Sequence, residues 1–217
     1  MKTDAQVQQD VMAELEWEPS LNAAQIGVEV KDGIVTLAGH VGSYGEKWDA
    51  ERAAQRVAGV KALAVEMDVT LAGSSTRIDA DIARAAENVL QWMSYLPKDA
   101  VKVMVEGGWI TLSGDVDWEY QRQAAAGAVR YLMGVKSVSN DIAVKPKVSV
   151  SAVKSDIEAA LNRCAKIDAQ KILVKVQGDD VTLSGTVQSW AEHDSAMDSA
   201  WATPGVRNVV DNMAVAY

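Results

Sequence analysis

One six-residue phrase is written three times along the chain: TLAGHV at 36–41, TLSGDV at 111–116 and TLSGTV at 182–187. Twenty residues after the glycine of each phrase (Gly39, Gly114, Gly185) stands a Gly-Val pair, beginning at Gly59, Gly134 and Gly205. Apolar residues then recur without a gap: Leu63, Val138 and Val209; Met67, Ile142 and Met213; Val69, Val144 and Val215. Recurrence at fixed spacing is the mark of a tandem repeat, here of about 70 residues. It points to three copies of one small unit.

Within each copy the local signals follow one order. A first helix is expected from apolar stripes: Val7, Val11 and Leu15; Ile78, Ile82, Ala85, Val89 and Met93; Val153, Ile157, Leu161 and Cys164. Two alternating strands come next, joined by turn signals at KDG (31–33), EGG (106–108) and QGDD (177–180). In the phrase strand, Val35, Leu37, Gly39 and Val41 share one face. A glycine in that apolar row implies a close approach, and the expected visitor is a helix crossing the sheet. A second helix is opened by Ser43 with Glu46 and by Ser189 with Glu192, both capping-box pairs. In the middle copy Trp118 holds the serine position, which leaves the cap to Asp117. Gly59, Gly134 and Gly205 are placed to end this helix as C′ glycines. A third strand closes the unit.

The resulting order is α-β-β-α-β. Each copy is expected to be an α+β unit, a mixed three-stranded sheet with two helices on one face and the other face open. The copies span 1–71, 76–146 and 150–217, joined by LAGSSTR and KPKVSVS. Aligning Asp10-Val11 with Asp81-Ile82 and Asp156-Ile157 gives the middle copy a four-residue insertion near QWMSYLPKDA, 91–100.

Composition narrows the function. The net charge is −9, divided as −6 over residues 1–73, 0 over 74–147 and −3 over 148–217. That balance opposes nucleic-acid binding, which needs clustered Lys and Arg. No apolar run is long enough for a transmembrane helix, and MKTDAQVQQDVMAELEW has no apolar signal core. A cytoplasmic chain is expected, or a periplasmic one if an export leader is missing from it. One cysteine, Cys164, and two histidines, His40 and His193, do not supply a usual zinc site. Asp179-Asp180 reads as turn chemistry. No metal, cofactor or catalytic constellation is expected, and the chain reads as a non-enzyme.

The aromatics carry the remaining signal. Phe is absent, yet the chain has seven Trp and five Tyr. Trp92 and Tyr95 flank the expected insertion, Trp109 has outward parity on its strand, and Trp118 and Trp190 sit at second-helix entries with Tyr44 in the matching region. These six are the candidate partner-binding residues, because an apolar body with a polar tip suits interfaces and lipid headgroups. Gly39, Gly114, Gly185, Gly59, Gly134 and Gly205 are read as structural.

The pattern DGxVTLxGxV, a helix of fixed length, GV and a hydrophobic strand resembles the BON domain, in three copies covering nearly the whole chain. The resemblance implies a non-enzymatic α+β module associated with the bacterial envelope and osmotic stress, binding phospholipid, protein or another surface ligand. No ligand residues follow from it, since the shared positions are structural. The alternatives are a small-molecule or cation-binding sensor and an acidic stress chaperone.

Overall fold

The structure, a computed structural model, describes residues 2–145, 154–164 and 167–216. Three copies of one α-β-β-α-β unit are present, each with a three-stranded sheet. The first has α1 (Asp4–Trp17), β1 (Ile26–Lys31), β2 (Ile34–Val41), α2 (Tyr44–Gln55) and β3 (Ala62–Val69). The second has α3 (Asp79–Gln91), β4 (Val101–Glu106), β5 (Trp109–Val116), α4 (Glu119–Arg130) and β6 (Ser137–Val144). The third has α5 (Lys154–Arg163), β7 (Ile172–Gln177), β8 (Asp180–Val187), α6 (Trp190–Trp201) and β9 (Asn208–Val215). Val153, one of the expected stripe residues, and most of the joint KPKVSVS lie outside the described residues. By contact the chain falls into two compact units, one of Met1–Ala38, Asp49–Glu66 and Pro146–Tyr217, the other of Gly39–Trp48 and Met67–Lys145.

The phrase strand is central in every sheet. Leu112 faces Val103 in the antiparallel hairpin and Asn140 in the parallel pairing with β6; Leu183 sits likewise between Val174 and Asp211. The parallel pairing is possible because α4 or α6 supplies the crossover between its strands. Alternation then decides the core. Ile110, Leu112 and Val116 point inward against Ile82, Ala86 and Leu90 of α3 and Ala125 and Val129 of α4, all buried. Each fully buried aliphatic side chain contributes on the order of 1.5–3 kcal/mol, enough for units this small to hold a core.

The crossing helix expected over the phrase glycine is not there. A Cβ at Gly114 would lie 2.0 Å from the carbonyl oxygen of Ala100, and one at Gly185 2.0 Å from that of Lys171. Both glycines also have strongly positive φ, +132° and +127°. The close neighbour is therefore the backbone entering the adjacent strand of the same sheet. The helix approach occurs instead at the later glycine. A Cβ at Gly59 would meet Val7 Cγ2 at 2.7 Å, and one at Gly134 would meet Ile82 Cδ1 at 2.8 Å. Those later glycines are not C′ residues either. The second helices end at Gln55, Arg130 and Trp201, and the glycine follows in a turn closed by Val60 N to Val57 O, Val135 N to Leu132 O or Val206 N to Thr203 O, each 3.3 Å.

The four-residue insertion expected near 91–100 is absent as well. The first helices of copies one and two are anchored by equivalent aspartates 75 residues apart, Asp4 and Asp79. Asp4 accepts from the hairpin amides of Asp32 and Gly33 (2.8 and 3.0 Å), and Asp79 from those of Gly107 and Gly108 (2.7 and 2.9 Å). The same interval separates Val7 from Ile82, Val11 from Ala86 and Leu15 from Leu90, which are the buried stripes. Ile78, expected within the stripe, is the exposed N-cap residue of α3. Asp10 and Asp81 are not equivalent, and the apparent insertion came from pairing them.

Candidate functional site

Large apolar side chains are spread unevenly over the surface. Of the fourteen that are exposed among the described residues, nine belong to the second copy. Four of them, Trp92, Tyr95, Trp118 and Tyr120, gather at one end of that copy, where α3 stops, the loop to β4 begins and α4 starts.

The scaffold of this end is polar and well satisfied. Gln121, buried in the first turn of α4, accepts from the amides of Asp117 and Trp118 (3.0 Å each) and donates to the carbonyl of Tyr95 at 2.6 Å. One side chain thus starts the helix and pins the loop that carries the aromatics. Tyr95 and Tyr120 lie with ring centroids 6.1 Å apart, tilted by 52°, within the favourable range for aromatic pairs. Trp92, the C-cap residue of α3, is 88% exposed. The fixed loop and open rings together form a preorganised, amphipathic surface.

The other candidates lie elsewhere. Trp109 begins β5 at the hairpin end, exposed on the open sheet face. The eight-residue length of β5 places it roughly 24 Å from Val116 at the far end of that strand. Trp190 in the third copy donates its indole N–H to the carbonyl of Val60 at 3.1 Å and stacks edge-on against His193, with centroids 5.2 Å apart. Tyr44 is half-buried at the start of α2. Of the six, only Trp92, Tyr95 and Trp118 are brought together, and Tyr120 joins them.

Trp17 was missed. It is 82% exposed and stands 75 residues before Trp92, at the same helix end of the first copy. The signal for it is the repeat register, which the pairing of Asp10 with Asp81 obscured.

His40 is exposed on the phrase strand and Cys164 half-buried just after α5. Both ring nitrogens of His193 face carboxylates, Asp211 at 2.7 Å and Asp194 at 3.4 Å, so neither is turned toward a nucleophile. Among the described residues no group of three His, Cys, Asp or Glu side chains is arranged to hold a metal ion. A cleft of about 650 Å³ in the first copy is lined by Lys2, Asp4, Val7, Asp32, Ala58 and Lys61 among others. Its charged groups are engaged locally: Asp4 with the hairpin amides, Lys2 with Asp10 at 2.7 Å, and Lys61 with the Asp32 carbonyl at 3.3 Å. No helix among the described residues is long and apolar enough to cross a membrane.

The BON domain family matches the chain three times, at residues 3–70, 78–146 and 149–217. A relative, osmotically-inducible protein Y of Escherichia coli (strain K12), is 30% identical over 146 residues, covering 65% of this chain and 73% of that protein. Two solved structures from type III secretion systems also align. One is the structural protein CdsD of Chlamydia trachomatis (14% identity, 94% of this chain and 90% of that one, TM-score 0.24). The other is the periplasmic domain of the inner membrane protein PrgH from S. typhimurium (14%, 93% and 97%, TM-score 0.24). Those overlays are too loose to bear on function. The threefold match across almost the whole length, on three sheets of one topology, makes this chain a member of the BON domain family.

Proposed function

We propose that this protein is a non-catalytic interaction protein that engages a phospholipid surface through the aromatic end of its second copy, in the setting of osmotic stress. The observation that carries the reading is the concentration of exposed Trp and Tyr on the one third of the chain with no net charge. Rings with a polar tip partition to the headgroup region of a bilayer, and the neutral middle copy is not repelled there as the acidic first and third copies are. The osmotic setting comes from the name of the Escherichia coli relative, and a place beside the envelope follows from the same reading.

The test is co-sedimentation of the full chain with phosphatidylcholine vesicles and with vesicles containing phosphatidylglycerol. Binding to one or both is expected, reduced about tenfold by combined Trp92→Ser and Tyr95→Ser with the amide spectrum unchanged, a loss of roughly 1.4 kcal/mol. Absence of binding to either vesicle would contradict the lipid reading. Equal binding by the variant would remove the site.

A further inference from the structure

Second helices make a contact between copies inside each compact unit. In the first unit, Asp194 of α6 pairs with Arg52 of α2 at 2.8 Å, and Trp190 of α6 donates to the carbonyl of Val60, just beyond the end of α2. In the second unit, the guanidinium of Arg130 on α4 lies 3.5 Å over the ring of Trp48 on α2. Beside it the Tyr131 ring covers Gly45, a buried helix residue with no room for a Cβ. Each time the start of one second helix meets the end of another.

The repeat register brings the two contacts together. Trp48 and Asp194 are each the fifth residue of their helices, which begin at Tyr44 and Trp190. Both face an arginine of another copy. Arg52 is the ninth residue of α2 and Arg130 the twelfth of α4, three places apart and so on the same helix face. A carboxylate holds a guanidinium through charge-assisted hydrogen bonds, and an indole face holds it through cation–π attraction. Two unlike side chains therefore suit one kind of neighbour. The second copy has Gln123 at the fifth place, exposed, with its amide donated to Glu119 of its own helix at 3.3 Å.

We propose that the fifth residue of the second helix is the determinant by which one copy docks on another, read by an arginine near the end of the partner helix. The reader accepts an anion or an indole face and rejects a cation. The Arg52–Asp194 pair is half exposed, so its own contribution to stability is small. Its effect is on which surfaces meet, because a like charge placed at the same spot repels. The flanking pairs, Trp190 with Val60 and Tyr131 with Gly45, close once the fifth residue is accepted.

The experiment uses the full chain in a Cys164→Ser background, with spin labels paired within one unit. His40→Cys with Lys102→Cys reports the contact of α2 with α4, and Glu29→Cys with Lys175→Cys that of α6 with α2; all four residues are exposed. At position 48 the undocked fraction should rise in the order Trp48→Asp, Trp48→Ala, Trp48→Lys, with lysine about tenfold above aspartate. With Arg130→Asp added, that order should invert, and Trp48→Lys should dock best. At position 194 the native aspartate, Asp194→Ala and Asp194→Lys should rank in the same way, and invert with Arg52→Asp. Packing alone does not produce an inversion, and the paired reversals serve where a single lysine variant does not fold. Distances unchanged by lysine at either contact, or a ranking that keeps its order when the arginine is reversed, would overturn the proposal.

Discussion

The second and third copies share a skeleton and use one position of it in opposite ways. In the third, Ser189 caps α6 with its hydroxyl toward the Glu192 amide at 3.1 Å, and the next residue, Trp190, turns its indole inward onto Val60. In the second, Trp118 stands where Ser189 does, 71 residues earlier, and Trp118 and Tyr120 stay exposed. What both copies keep is the acceptor one turn further on. Glu192 accepts from Gln188 N at 2.5 Å and Asp168 N at 2.7 Å, while Gln121 takes Asp117 N and Trp118 N and reaches Tyr95. The fold requires that anchor at the start of the second helix. The residues around it are free to differ, and that is where the copies diverge in what they present.

The sharpest break in the comparison should come from the shared part. Gly114→Ala drives a Cβ into the Ala100 carbonyl at a positive φ, and a loss of about 3 kcal/mol is expected for the second copy by urea denaturation. Gly185→Ala should cost the third copy as much. A loss below about 1 kcal/mol at both sites would mean the sheet relaxes around the intruder. Next come the anchors. Gln121→Ala and Glu192→Ala each strand backbone amides, at about 2 kcal/mol, and hydrogen exchange should speed up at residues 117 and 118 in the first case and at residues 168 and 188 in the second.

The divergent positions should respond differently. Trp118→Ser installs the cap that the third copy already has. It is expected to stabilise the second copy by about 0.5 kcal/mol while weakening vesicle binding about threefold, a gain in one and a loss in the other. If stability and binding fell together, the tryptophan would be part of the skeleton. Trp17→Ser should have the smallest effect, no more than about a twofold change in binding, because its neighbours Glu14 and Glu18 are acidic and paired with Arg56.

Much of this was legible because repetition amplifies weak signals. Three phrases with one parity fix the central strand, and three Gly-Val pairs fix the crossover length. Inference failed where a single residue was read alone. Asp10 and Asp81 look alike in sequence, but Asp4 and Asp79 hold the hairpins, and only the hydrogen bonds tell them apart. The phrase glycine was read by the rule that a missing side chain admits a neighbour. The neighbour is a carbonyl of the next strand, which no one-dimensional pattern reveals. The aromatic cluster was partly legible: Trp92, Tyr95 and Trp118 are close in sequence to the loop and helix entry that unite them. Trp109 and Trp190 match them in type, yet the strand's length and an inward hydrogen bond take them elsewhere.

The account rests on the second copy being the one that meets a partner, and the seven indole N–H resonances of the native chain report this directly. On titration with phospholipid vesicles, the Trp92 and Trp118 signals should broaden first, while Trp190, whose N–H is already donated to Val60, stays sharp. Broadening that begins at Trp190 or Trp201, with Trp92 and Trp118 unchanged, would contradict it.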